Sequence, residues 1–323
     1  MKTKTIILFA ILSQLTIACG RFSLESNEDQ TSPRVVTKDF QSVKIATIGD
    51  SLTQAASSES FNSTSILNFV GSLDWKDIII DAPQNSWVTG TELKNGGSHF
   101  QRLSQMTDKD IETFDASRTG AQAIGLFEGG DLNLGFGLKS DLENQARGVF
   151  ENLNSADLNY VTIMIGANDV CNNHIFDRSI DEFKDLLKEK MKFAINLIGS
   201  KSDLILLSSI PNVKEVFSKP ETCQWNDNVL TENLDVQGLV KDLTCGFADD
   251  ANYDRFVDAA NEVYAEIAQQ SVYNVVYDDS FVNVSTQPED VGYDCFHPSK
   301  SGQEKISNHL WNSVENFFKA NLK

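Results

Sequence analysis

Short apolar runs that stop at a glycine or proline alternate in this chain with longer stretches of helical period, and that alternation restricts the fold more than any other feature. Tyr160-Val161-Thr162-Ile163-Met164-Ile165 is near-continuously apolar, as a strand covered on both faces must be, and it breaks at Gly166. Ile45 to Ile48 breaks at Gly49, Leu204 to Leu207 is closed by Pro211, and Val272 to Tyr277 reads as a final strand. Phe114 to Ala121 reads as another strand end, breaking at Gly120. Between these runs lie helical stripes: Leu142, Ala146, Val149 and Leu153; then Ile180, Phe183, Leu187, Met191 and Ile198. Tyr253, Phe256, Ala260, Tyr264 and Ile267 form a third stripe, and Ile306, Leu310, Val314 and Phe317 a closing one. Ser140 with Glu143, and Ser179 with Glu182, have capping-box spacing before two of them. Strand–helix alternation of this kind makes an α/β fold: a parallel sheet with right-handed crossovers and helices on both faces. The polar-aromatic region from Ser51 to about Asp110, and the glycine-rich span Gly125 to Gly137, read as loops.

The chain has 323 residues, with 46 acidic against 27 basic side chains and a net charge of -19. That charge opposes binding to nucleic-acid phosphates and to anionic lipid surfaces, so no nucleic-acid partner is expected. Lys2 and Lys4 precede an apolar stretch, Ile6 to Ile17, that is too short to span a bilayer and ends at Ala18-Cys19. The stretch resembles a bacterial lipoprotein signal, in which the cysteine is lipidated and becomes the first residue. Thr16 and Ile17 depart from the commonest form of that signal, and an ordinary secretory peptide cut nearby is the alternative. The expected organisation is a signal over 1–19, a polar tether over 20–40 and one domain over 41–323. The expected location is the bacterial cell envelope, held by a lipid on Cys19, or else outside the cell. Four cysteines remain beyond the signal, Cys171, Cys223, Cys245 and Cys295; in an exported chain they imply two disulfides with three connectivities. No CxxC pair is present, so neither zinc nor dithiol redox chemistry has support, and no metal or other cofactor is expected.

Four chemically distinctive places fall at strand ends or just before a helix: Ser51, Gly120, Asn168, and Tyr293-Asp294-Cys295-Phe296-His297-Pro298. In a parallel sheet the strand ends share one edge, so these residues can converge. Together they hold what acyl transfer needs. A serine hydroxyl attacks only when a base takes its proton, and imidazole titrates in the right range. A carboxylate fixes the imidazole tautomer, and preorganised N–H donors stabilise the oxyanion. Of the four histidines, His99 sits in a glycine-rich loop, His174 follows Asn172-Asn173, and His309 lies on the closing helix. His297, three residues after Asp294, has a carboxylate partner close by in the chain.

Gly49-Asp50-Ser51-Leu52, Gly120, Gly166-Ala167-Asn168-Asp169 and Asp294-Cys295-Phe296-His297 resemble, in order, the four blocks of the SGNH or GDSL hydrolases. Asn85-Ser86-Trp87, Phe114 to Ala121, Asp141 to Arg147, Ile165 to Cys171 and Asp294 to Pro298 are similar to the phospholipase B-like branch. The resemblance runs from Lys44 to the carboxyl terminus, with poor matching in the loops. It implies a flavodoxin-like three-layer sandwich with a five-stranded parallel sheet of order 2-1-3-4-5 and a metal-independent serine esterase or lipase. It implies Ser51 as nucleophile, His297 as base and Asp294 as its orienting acid, with Ser51, Gly120 and Asn168 forming the oxyanion hole. Two departures stand out: Asn172-Asn173-His174 replaces a second cysteine shortly after Cys171, and the Gly125–Gly137 insertion is unusual. The substrate is then a small-molecule or lipid acyl ester, or acylated carbohydrate, unless the scaffold serves as a non-catalytic binding lipoprotein. Convergence of the strand ends would also bring Cys171 toward Cys295 and leave Cys223 to close a local loop with Cys245.

Overall fold

The computed structural model describes residues 35–59, 80–94, 96–125, 142–172, 178–217 and 245–322. The signal and Cys19, most of the tether, most of the Gly125–Gly137 loop, His174 and Cys223 lie outside them.

Five strands form one sheet: β1 (Ser42–Gly49), β2 (Asp110–Asp115), β3 (Leu158–Met164), β4 (Leu204–Ser208) and β5 (Val275–Asp278). Every neighbouring pair is parallel, and the order across the sheet is β2-β1-β3-β4-β5. The central β3 is buried along its whole length, which explains its unbroken apolar sequence. Alternate residues feed two cores. On one face Ala46, Ile48, Val161, Ile163, Ile205 and Leu207 pack under the helices α2 (Leu142–Asn152), α4 (Ile180–Gly199) and α6 (Tyr253–Gln270). On the other Ile45, Tyr160, Leu204 and Leu206 pack against α1 (His99–Met106) and α7 (Lys300–Asn321). Two short helices, α3 (Ala167–Cys171) and α5 (Lys214–Phe217), follow β3 and β4.

The chain leaves β1 toward β2 and then crosses back past β1 to β3, so the sheet order reverses between β1 and β3. A crevice opens at such a reversal beyond the carboxyl ends of the strands. Ser51 lies two residues past the end of β1 and Asn168 four residues past the end of β3, both on that edge.

Three details differ from the sequence reading. The loop expected up to Asp110 contains α1, whose Ser98 side chain accepts from Gln101 N–H while the Gln101 side chain accepts from Ser98 N–H. β2 ends at Asp115, and the chain reaches Gly120 through a turn instead of a strand. Cys171 pairs with Cys245, not with Cys295, and the expected Cys223–Cys245 pair is excluded with it. The reason is direction. Cys171 is one helical turn beyond Asn168 and faces the apolar layer under α6, where Cys245 is also buried, with their Cα atoms 4.3 Å apart. Cys295 sits in the triad loop at φ 63° and is itself disulfide-bonded, to a partner outside the described residues.

Candidate active site

The apolar β1 delivers Gly49-Asp50-Ser51 to the crevice, and two glutamines grip the turn that follows. Gln145 of α2 accepts from Gly49 N–H at 2.8 Å and donates to Gly49 C=O at 3.0 Å. Gln303 of α7 donates to Leu52 C=O at 2.9 Å and accepts from Trp87 N–H at 3.1 Å. The chain beyond Ser51 forms turns up to Ser57 and not a regular helix; Ala55 and Ser57 adopt positive φ. Neither glutamine stands out in sequence.

Ser51, His297 and Asp294 form a continuous relay. Ser51 Oγ lies 2.7 Å from His297 Nε2, and His297 Nδ1 lies 2.5 Å from Asp294 Oδ2. Asp294 Oδ1 accepts from the N–H groups of Phe296 and His297 at 3.0 and 2.9 Å, so the carboxylate is anchored by the loop it serves. Burial pushes the Asp294 carboxyl up, but its interaction with His297 and these hydrogen bonds outweigh burial and hold its pKa below the usual value. An ionised Asp294 fixes the proton on Nδ1 and leaves Nε2 free to accept from Ser51.

Among the described residues, the other two histidines are not in this relay. His99 is buried between Tyr160 and Trp311, its ring nitrogens 2.8 Å from Tyr160 Oη and 3.3 Å from Ser307 C=O. Burial pulls its pKa down to about 3, so it is a neutral core residue. His309 is half-buried on α7, and His174 lies outside the described residues.

The expected oxyanion donors come from three segments. Gly120 adopts φ 78°, and Asn168 follows Gly166, at φ 111°. A side chain at Gly166 would be strained and would meet Ile210 Cδ1 and Tyr264 Oη, each at 2.7 Å. Asn168 Nδ2 donates to Ala121 C=O at 2.9 Å, which leaves its second N–H for the crevice.

Two further carboxylates lie under the site. Asp50 accepts from Leu52 N–H at 3.0 Å, while its Oδ2 has no partner among the described residues; burial raises its pKa to about 7. Asp169 accepts from Ala123 N–H at 2.6 Å and Ile124 N–H at 2.9 Å, and burial raises its pKa to about 6. Below its raised pKa each group holds in the fold a proton that the unfolded chain has released, so the two contribute stability at low pH that is lost as pH rises through about 6 and about 7, and Asp169 is ionised above about 6. His99 opposes them only below its unfolded value near 6.5, where the unfolded chain takes the proton. Urea midpoints are therefore expected to fall between pH 5 and pH 8, and Asp50→Asn is expected to flatten that slope. A slope unchanged in Asp50→Asn would show that Asp50 titrates normally.

Residues 45–310 match the family model described as GDSL-like Lipase/Acylhydrolase. The chain belongs to that family. It is a carboxylic ester hydrolase of the GDSL type, and its small-molecule substrates are esters. Among solved structures it is similar to TesA, at 13% identity and a TM-score of 0.45, covering 85% of this chain and 99% of that one. It is similar to LAE5, an alpha/beta hydrolase enzyme from the metagenome of Lake Arreo, Spain (14% identity, TM-score 0.45, 87% and 98% covered). It is also similar to Axe2, an acetylxylan esterase from Geobacillus stearothermophilus (15% identity, TM-score 0.42, 86% and 96% covered). No curated protein sequence matches it.

Proposed function

We propose that this GDSL hydrolase cleaves esters of medium or long acyl chains through a covalent intermediate on Ser51. The observation that carries the mechanism is the unbroken relay from Ser51 through His297 to Asp294. In this reading Ser51 Oγ attacks the ester carbonyl as its proton passes to His297 Nε2. The carbonyl oxygen, now an oxyanion, accepts from Ser51 N–H, Gly120 N–H and Asn168 Nδ2. Collapse breaks the bond to the alcohol oxygen, which takes the proton from His297. Water then attacks the acyl-enzyme with His297 again as base, releasing the carboxylic acid and restoring Ser51.

A groove beside the relay supports the choice of acyl group. It holds about 610 Å³ of space, part of it open to solvent. Its lining includes Leu52, next in the chain to Ser51, together with Phe296 and Pro298, which flank His297. Val213, Val216, Phe281, Val282, Val284 and Ile306 extend it as an apolar surface. Among the described residues its charged members are Lys305 and Asp290, which pair with each other at 2.7 Å. An acetyl group would leave most of this surface unused, whereas an alkyl chain would cover it. Similarity to the phospholipase B-like segments agrees with a lipid substrate. We further propose export by the signal over 1–19, with a lipid on Cys19 holding the enzyme at the envelope through the tether.

A p-nitrophenyl ester series from acetate to palmitate tests the acyl assignment. Each methylene buried in the groove should raise kcat/KM about fourfold, from about 0.8 kcal/mol per CH₂, until the groove is full. Val282→Trp should remove the preference for long chains and spare acetate hydrolysis. A wild-type enzyme fastest on acetate, and active on acetylated glycans, would replace this substrate class with acylated carbohydrate.

A further inference from the structure

The oxyanion donors expected of Gly120 and Asn168 belong to segments 48 residues apart in the chain, with α2 and β3 between them. Gly120 lies in a turn after β2, and Asn168 is the second residue of the five-residue α3. An oxyanion hole works only if its donors are fixed before charge develops, at separations good to a few tenths of an ångström. Something must therefore set the spacing between these two segments.

The side chain next to Asn168 is placed to do so. Asp169 is buried, at 1% exposure, and its carboxylate turns away from the crevice toward the Gly120 segment. There it accepts from Ala123 N–H at 2.6 Å and Ile124 N–H at 2.9 Å, and Gly125 N–H also hydrogen-bonds to it. Two weaker links reinforce the join: Gln122 Nε2 donates to Asn168 C=O at 3.3 Å, and Arg178 donates to Gly125 C=O at 3.3 Å. Asn168 Nδ2 closes the ring by donating to Ala121 C=O.

We infer that Asp169 is a positioning residue for ester hydrolysis, a carboxylate clamp that sets the spacing of the Gly120 and Asn168 oxyanion donors. The inference rests on the proposed roles of Ser51, Gly120 and Asn168. Consecutive backbone N–H groups converging on one carboxylate make charge-assisted bonds, stronger than neutral ones. The charge is what an amide cannot supply. Asn at 169 keeps the size, offers one good acceptor in place of two, and turns an NH₂ group against donors.

The test is steady-state kinetics on a p-nitrophenyl ester for wild type, Asp169→Asn, Asn168→Ala and the double variant, with thermal unfolding of each. Asp169→Asn is expected to lower kcat by about 10²-fold with KM nearly unchanged, close to the loss when one oxyanion donor is removed. In the Asn168→Ala background the same change should cost less than about threefold, because the spacing the clamp sets no longer matters once one of the two donors is gone. Gln122→Ala, which trims a lesser link and leaves Asp169 in place, should lower kcat by about threefold while folding normally; it supplies the reading if Asp169→Asn does not fold. A folded Asp169→Asn enzyme with wild-type kcat, a full and additive loss in the double variant, or a Gln122→Ala enzyme with wild-type kcat overturns the clamp. Hydrolysis that persists in Ser51→Ala overturns the underlying mechanism, and the clamp with it. Ser51-dependent hydrolysis with any of the former results overturns the clamp alone.

Discussion

Ser51→Ala is expected to lower kcat by about 10⁶-fold, the loss that follows removal of the nucleophile from a serine–histidine relay. His297→Ala should cost about as much, and the Ser51→Ala, His297→Ala double variant no more than either single one, because the two act as a unit. The geometry gives the reason. Ser51 Oγ has one ring nitrogen at 2.7 Å, and the other histidines stand apart from it or outside the described residues. Asp294→Asn should fall by about 10⁴-fold, since an amide at Oδ2 would donate toward Nδ1 and favour the wrong tautomer. A fluorophosphonate probe should label wild type at Ser51 and leave Ser51→Ala unlabelled. Full activity in His297→Ala would reject the relay, and labelling of another serine in Ser51→Ala would reject the nucleophile.

The strands and helices of the fold were open to sequence reasoning because each kind carries its own period. β3 is buried on both sides and reads as an unbroken apolar run, while α4 and α6 bury one stripe each and read as spaced residues. The placement of Ser51 and Asn168 beyond strand ends on one edge followed from topology, since a parallel sheet gathers strand ends there. Direction did not follow. Cys171 and Cys295 both flank that edge, yet a single turn of α3 rotates Cys171 toward Cys245. The groove was hidden for a related reason. It is assembled from short separate pieces, Leu52 after β1, residues that follow β4 and β5, and the start of α7, and of these only α7 carries a readable period. α1 was hidden by its setting: eight residues with two glycines just before its cap look like a turn unless the Ser98–Gln101 pairing is noticed. The grip of Gln145 and Gln303 on the nucleophile turn had no local signal, because each makes its bonds to backbone distant in sequence.

Removing the Cys171–Cys245 bond, which lies in the apolar layer under α6, is expected to cost a large part of the protein's stability. The bond closes a span of 74 residues, and constraining a loop of that size in the unfolded chain contributes about 4–5 kcal/mol in the chain-entropy model. That is a large fraction of the roughly 5–15 kcal/mol by which a domain is stable. Cys171→Ser, Cys245→Ser and the double variant should therefore lose similar amounts in urea denaturation, and the double variant should lose no more than the worse single one. Activity should fall at temperatures where wild type is still folded, because α3 carries Asn168 at one end and Cys171 at the other. Reductant should reproduce the stability loss in wild type and have a smaller effect in the double variant, where only the Cys295 disulfide remains to be reduced. Peptide mapping without reduction identifies the bond directly. A fragment joining Cys171 to Cys295 would overturn the pairing, and denaturation midpoints equal to wild type in all three variants would show that the bond adds nothing to the fold.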